Sequence, residues 1–283
     1  MKNSSGSLEQ EYRSRINKTM DYIESDLGRQ FTLEELASVA NFSRFHFHRI
    51  FLGMVGETPF QFIHRLRLER IASQVQTQPR ESITDIAFRC GFQDLSVFSR
   101  SFRAAFGQSA TEFRRSVREK SNTGQVNSNT CQSDQKVSMY FCFETKTIKW
   151  RSPMKSLTSV EVKVLPEMTV AYIRHTGPYK GNGKLFESLW NKLFSWAGPR
   201  GLIGGPGFNS LIIYHDDPNI TSEDKLRMSV CITVPTDTKV AGEIGKMMVE
   251  EGQYVMARFN LGEKDFQEAW RYVSLSPRLA QAV

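Results

Sequence analysis

The sharpest pattern of apolar and polar positions lies at Ser43 to Met54, SRFHFHRIFLGM. Phe47, Ile50, Phe51 and Met54 recur at i, i+3, i+4 and i+7, which predicts a helix that buries an aromatic stripe. Its opposite face carries Arg44, Phe45, His48 and Arg49. Just before it, Leu33, Leu36, Ala37 and Ala40 form a short apolar face. Thr32 and Glu35 have the spacing of a capping box, Asn41 suits a left-handed turn, and Ser43 is placed to cap the next helix. Helix, tight turn and helix are thus predicted in succession.

The same pattern returns. Leu36-Ala37 becomes Ile86-Ala87 and Ala40-Asn41-Phe42 becomes Cys90-Gly91-Phe92 at an offset of 50. After one inserted residue the offset is 51: Arg49-Ile50-Phe51 against Arg100-Ser101-Phe102, Gly56 against Gly107, and Phe62 against Phe113. The turn residue is Asn in one copy and Gly in the other, the two residue types best suited to a left-handed backbone. A helix from Asp94 to Phe106 is expected to bury Leu95, Phe98, Phe102 and Ala105 and to show Ser96, Ser99, Arg100 and Arg103. Between the copies, Thr58-Pro59 opens a helix running to about Gln76, and Leu8 to Leu27 forms a first helix with Ile16, Met20, Ile23 and Leu27 on one face.

The second half changes period. Ser121 to about Thr158 is rich in Ser, Asn, Thr and Gln and reads as linker, although Val137 to Ile148 alternates like a strand or hairpin. Strands are predicted at Val160–Val164, Thr169–Arg174, Leu211–Tyr214 and Met228–Val234, with a helix over Lys184–Ala197. The Gly/Pro-rich run from Gly198 to Gly207 precedes a strand rather than a helix N-terminus, so it reads as a connection and not a phosphate cradle. Val170–Arg174 is echoed by Tyr254–Arg258, and Phe186-x-x-x-Trp190 by Phe266-x-x-x-Trp270. The expected fold class is α+β: an all-α double helix-turn-helix domain (8–118), a linker (119–158), and an α+β domain (159–283) of duplicated strand-helix-strand-strand units. Only 13 residues follow Trp270, so the second unit is expected to be incomplete.

Charge sharpens the first half. Residues 44–118 hold 12 arginines, no lysine and 6 acids, whereas residues 161–283 balance at 14 basic and 14 acidic. Arginine alone suits bidentate contacts to phosphate and guanine. In the predicted helices, arginine can reach guanine acceptors, histidine can donate or accept, and an exposed phenylalanine can meet a thymine methyl. A helix of 19 residues from Pro59 would be roughly 28 Å long, near the roughly 34 Å between successive major-groove faces. The four cysteines, Cys90, Cys131, Cys142 and Cys231, form no C-x-x-C pair and fit free thiols in a reduced, cytoplasmic setting. Cys90 stands where the first copy has Ala40 and reads as a small core residue. No apolar N-terminal signal, no run long enough to span a membrane, no metal constellation and no catalytic group is read from the chain.

The residues Leu36-Ala37 to Phe42, Arg49-Ile50-Phe51, Gly56-Glu57-Thr58-Pro59, Ile83 to Gly91-Phe92, Phe98 to Phe102, and Gly107 to Phe113-Arg114 resemble the DNA-binding domain of the AraC/XylS family of bacterial transcription regulators. Ala110 departs from that pattern, since the family commonly has proline there. The resemblance implies a transcriptional activator that contacts double-stranded DNA and RNA polymerase and needs no cofactor. Base contacts are implied at Arg44, Phe45, His48, Arg49, Ser96, Ser99 and Arg100, and the exposed face adds Arg103. The run Pro166 to His175-Thr-Gly-Pro-Tyr179, with Phe186 to Trp190 and its later echo, resembles the GyrI-like effector-binding domain. That family holds small, often cationic and aromatic compounds in a cleft between its halves. Candidate pocket groups are Tyr172, Tyr179, Trp190 and Tyr214. Two alternatives stand beside this reading: small-molecule sequestration or hydrolysis by the second half, and a helical module that binds a partner protein.

Overall fold

The computed structural model describes residues 4–122, 138–142, 147–151 and 157–261. In chain order the elements are α1 (Ser4–Ser25), α2 (Leu33–Val39), α3 (Arg44–Val55), α4 (Pro59–Thr77), α5 (Ile83–Arg89), α6 (Leu95–Phe106) and α7 (Ala110–Asn122), followed by β1 (Ser138–Cys142), β2 (Thr147–Arg151), β3 (Leu157–Leu165), β4 (Met168–Thr176), α8 (Gly183–Ala197), β5 (Ser210–Tyr214), β6 (Arg227–Thr233), β7 (Gly245–Val249) and β8 (Gly252–Phe259). They form two compact units, 1–114 with 168–249 and 115–167 with 250–283.

In the first unit the repeat is preserved down to ring packing. Phe47, Phe51 and Phe62 meet at centroid distances of 5.5 and 5.6 Å, and their counterparts Phe98, Phe102 and Phe113 at 5.6 and 5.7 Å. Two cores result. One gathers Ile16, Met20, Ile23 and Leu27 of α1 with Leu36, Ala37, Phe47 and Phe51. The other gathers Ile86, Ala87, Cys90, Phe92, Phe98 and Phe102. Helix α4 serves both: Phe62, Ile63 and Leu66 enter the first core, and Leu68, Ile71, Ala72 and Val75 the second. A single rod therefore carries both helix-turn-helix units.

The tight turns take the backbone the sequence demands: Asn41 has φ +52° and Gly91 φ +90°. At Gly91 a Cβ would lie 2.7 Å from Arg67 Cζ and 2.8 Å from the Gly28 carbonyl oxygen, so no other residue fits. Arg67 of α4 donates to the Leu27 and Arg29 carbonyls at 2.9 and 2.5 Å, and Gln30 Nε2 donates to the Gly91 carbonyl at 3.0 Å. These bonds tie the two helix-turn-helix units together where they meet.

Several expectations change. Thr32 accepts from the Glu35 amide at 3.2 Å, but the Glu35 carboxylate turns to Tyr22 and Arg29 instead of closing a capping box. Ser43 and Ser82 hold cap positions without a side-chain cap bond. The complete box lies at Thr58 and Gln61, at the start of α4. Leu95 and Ala105 are exposed, because the buried stripe of α6 narrows to Phe98 and Phe102 with half-buried Ser101 and Phe106. Where the family pattern has proline, α7 opens on Ala110, and Ser109 with Glu112 caps it reciprocally at 2.8 and 3.2 Å.

The same unit holds an antiparallel sheet in the order β5-β6-β4-β7. Alternation assigns its faces. Ala171 and Ile173 of β4 and Met228, Val230 and Ile232 of β6 pack with Leu189, Leu193 and Ala197 of α8. Val170, Tyr172 and Arg174 face the other way, as do Ser229 and Cys231, with which Arg174 and Tyr172 are paired in register. Strand β7 was not expected from the alternation of the sequence. Its Gly245 lies opposite Tyr172, and a Cβ there would stand 2.3 Å from the tyrosine ring.

In the second unit β1 and β2 pair antiparallel inside the stretch read as linker, and α7 enters that stretch as far as Asn122. Strand β3 pairs antiparallel with β8, the strand that echoes β4. The echoing helix at Phe266–Trp270, and with it the expected truncation, lies outside the described residues.

Candidate nucleic-acid interface

The first head presents α3 through burial of its other side: Phe47 and Phe51 are fully buried, whereas Phe45 is 85% exposed. Arg44 and Arg49 are exposed beside it and His48 is half-buried. In the second head, burial of Phe98 and Phe102 turns Ser96, Ser99, Arg100 and Arg103 to solvent. All eight predicted contact residues therefore lie on α3 or α6, on the side away from the cores. The position of Phe45 beside Arg44 and Arg49 suits an apolar contact to a base methyl.

The cations differ in readiness. Arg44 is bound to Glu34 at 2.5 Å, and backbone and Arg44 hydrogen bonds hold that carboxyl below its ordinary value. The side chains of Arg49, Arg100 and Arg103 make no hydrogen bond or ion pair among the described residues, although Asp94 attracts Arg100 electrostatically. Their guanidinium donors are free to engage an acceptor. Asp94 caps α6 by accepting from the Ser96 and Val97 amides at 2.6 and 2.9 Å, fixing the helix N-terminus.

The sheet separates the four candidate pocket aromatics. Tyr179 and Tyr214 pack at 5.4 Å and Trp190 stacks on Phe194 at 5.3 Å, all in the core beneath α8. Tyr172 is fully buried on the opposite face. There its hydroxyl donates to Asp21 of α1, and Arg174 Nη2 donates to the other Asp21 oxygen at 2.7 Å. Arg227 donates to Glu24 of α1 and to Asp216 at 2.6 and 2.9 Å. His215 Nδ1 lies 3.5 Å from Glu24, and its Nε2 stands 2.9 Å from Ser229 Oγ. Burial opposes ionisation of Glu24, yet Arg227, His215 and Arg174 outweigh it and hold the carboxyl well below its ordinary value. Burial, with help from Arg174, lowers the His215 pKa. This cluster was not found from the sequence. Its one signal is that Asn17, Asp21 and Glu24 recur at i, i+4 and i+7 beside the apolar stripe of α1, while Arg174 shares a strand face with Val170 and Tyr172.

Comparison with known families decides the assignment. Residues 36–116 match a helix-turn-helix domain family and residues 158–275 match the GyrI-like small molecule binding domain. The chain joins an AraC-type helix-turn-helix domain to a GyrI-like domain. The AraC-type domain is 33% identical over 106 residues to the probable transcriptional regulator LumQ of Photobacterium leiognathi, covering 37% of this chain and 42% of LumQ. It is 37% identical over 101 residues to the transcriptional activator RhaS of Enterobacter sp. (strain 638), covering 36% of each chain. The chain thus spans less than half of either relative. Among solved structures, the DNA-binding domain of AdpA in complex with a target DNA shares 27% identity over 38% of this chain and 96% of that one, with a TM-score of 0.36. No helix among the described residues is long and apolar enough to cross a membrane.

Proposed function

We propose that the chain is a sequence-specific, DNA-binding transcriptional activator that reads two successive major grooves from one polypeptide and is modulated by a small molecule at its GyrI-like domain. The observation that carries this is the pair of exposed arginines, Arg49 and Arg100, whose side chains make no hydrogen bond or ion pair among the described residues, at equivalent positions of two heads built on one helix. That helix has 19 residues, about 28 Å at 1.5 Å per residue, which suits heads placed roughly one helical turn of DNA apart. Phosphate contacts by the remaining arginines would position the heads, and side chains of α3 and α6 would read base edges. Activation accords with the name of RhaS and implies contact with RNA polymerase in the cytoplasm.

The test is selection of the full-length chain on a random DNA library, followed by salt titration of the selected sites. The expected site has two short boxes about 10 base pairs apart, bound by a monomer, with affinity falling steeply with salt. Weak binding without selected boxes would refute the two-headed reader.

A further inference from the structure

One face of the GyrI-like sheet carries the buried pair Tyr172 and Arg174. Helix α1 of the AraC-type domain supplies the charges that complete it. Asp21 sits there as a carboxylate guest: one oxygen takes a hydrogen bond from Arg174 Nη2 at 2.7 Å, the other from the Tyr172 hydroxyl. Gly245 leaves the room that the tyrosine ring requires. Glu24 fills a second position, between Arg227 and His215. The geometry points to an effector site for a carboxylate, centred on Arg174 and Tyr172, that α1 occupies from within the chain through Asp21 and Glu24.

This inference rests on the reading that the GyrI-like domain takes a small molecule. It adds the class of that molecule and the means of its control. Charge sets the class. With α1 removed, Arg227 keeps Asp216 as its partner at 2.6 Å, whereas Arg174 loses its ion-pair partner Asp21 together with nearby Glu24 and keeps only the neutral contacts to Ser229 Oγ and His215 Nε2, both at 3.3 Å. A guanidinium left without a carboxylate on this largely apolar face favours an anion, and a cationic guest would meet repulsion. The Arg174 side chain is 1% exposed, and its Nη1 has no hydrogen-bond partner although it is buried. A guest carboxylate less constrained than a helix side chain can use that spare donor in a two-pronged contact. Next to the polar end lies an apolar patch of Val170, Leu211, Ile213, Cys231, Met247 and Val249, which suits a guest with an apolar body.

Occupancy couples to DNA reading because α1 has two loyalties. Ile16, Met20, Ile23 and Leu27 belong to the core of the first head, so α1 cannot leave the sheet without carrying that head with it. Lys225 to Glu57 at 3.2 Å and Arg65 to Glu57 at 2.5 Å extend the same docking surface to the start of α4. A guest that binds only when α1 is away shifts the population toward a released head, and its apparent affinity is weakened by the fraction of chains still latched.

The test is calorimetric titration of full-length chains with benzoate, a carboxylate on an apolar ring, with benzyltrimethylammonium as the cationic counter-probe. Asp21→Asn/Glu24→Gln keeps the shape of α1 and weakens the latch, so benzoate should bind this variant at least about tenfold more tightly than wild type. Tyr172→Phe, introduced into that variant, keeps the ring packing and should lose benzoate affinity about fivefold or more by removing one donor. Arg174→Gln in the same background should abolish binding, with circular dichroism as the check on folding. Equal benzoate affinity in wild type and the Asn/Gln variant, no benzoate binding to either, or preferential binding of the cation would each overturn the site. Saturating benzoate should also change operator affinity of wild type in the same direction as the Asn/Gln substitution does. The titrations contain no DNA, so failure to select an operator would sink the regulator reading while leaving the carboxylate result standing or falling by itself.

Discussion

Replacing Arg49 by alanine separates base reading from general basicity. Arg49 is exposed and has no hydrogen bond or ion pair among the described residues, so its removal should change stability by no more than about 0.5 kcal/mol. If its guanidinium contacts a guanine edge, the loss is about 1–3 kcal/mol of DNA binding, or roughly 5- to 150-fold in affinity. The preference should relax within one box only, and Arg100→Ala should do the same in the other box. The assay is the library selection repeated with each variant, alongside salt titration on the wild-type site. A phosphate contact would give a different signature: uniform weakening across sequences and a salt slope reduced by about one unit. Arg44→Ala should cost less than Arg49→Ala, because Glu34 already engages Arg44 in the free protein. Unchanged affinity and unchanged base preference in both Arg49→Ala and Arg100→Ala would refute the assignment of α3 and α6 as reading helices.

Gly91→Ala should destabilise the first unit by at least about 2 kcal/mol in a denaturant titration, since the left-handed backbone alone costs about 1–2 kcal/mol and the new methyl displaces Arg67. Asn41→Gly, at the equivalent turn, should stay within about 1 kcal/mol of wild type, because glycine accepts the same φ of +52°. Stability should fall on acidification in two stages. His215 has a folded pKa below its ordinary 6.5, so its contribution is present above that value and lost as pH falls through the folded pKa; Glu24, depressed from 4.5, loses its contribution in the same direction at lower pH. Other groups face this pair, namely Asp21, Tyr172, Arg174, Asp216 and Arg227, so the check is thermal unfolding against pH in wild type and Glu24→Gln, with the lower stage absent from the variant. The buried Cys90, whose thiol burial pushes up, should resist a thiol reagent until the protein unfolds, as followed by mass spectrometry.

The helical half was legible because its information is local and repeated. The spacing of Phe47 and Phe51 fixes which side of α3 is buried, and the offset of 51 fixes the same for Phe98 and Phe102. A turn residue with φ above zero is nearly forced to be Gly or Asn, so Asn41 and Gly91 could be read from residue type alone. The errors fall where tertiary competition decides. Glu35 had an amide to cap and a tyrosine and arginine to bind, and it took the latter. Leu95 and Ala105 lie at the margins of the α6 stripe, where packing and not spacing determines burial. Strand β7 escaped because GKMMV does not alternate and draws its stability from pairing with β4.

The polar face around Tyr172 and Arg174 was hidden for a different reason. Tyr172 announced itself as an aromatic in a strand, but its partners Asp21 and Glu24 precede it by about 150 residues and lie in another domain. Nothing in the local pattern of α1 distinguishes acids that face solvent from acids that face a buried arginine. Pairwise charge complementarity between distant segments carries no period, so no scan for periodicity can recover it. Burial is what converts these side chains from solvated decoration into a constraint: Arg174 and Arg227, nearly inaccessible, must be neutralised, and although Asp216 serves Arg227, the acid paired with Arg174 belongs to the helix that also builds the core of the first helix-turn-helix unit. A chain needing only stability could have filled that position with apolar residues at no loss, since buried ion pairs add little net stability over well-packed hydrophobic ones. What an ion pair offers in exchange is sensitivity to a competing charge, and that is the property a regulated DNA reader requires.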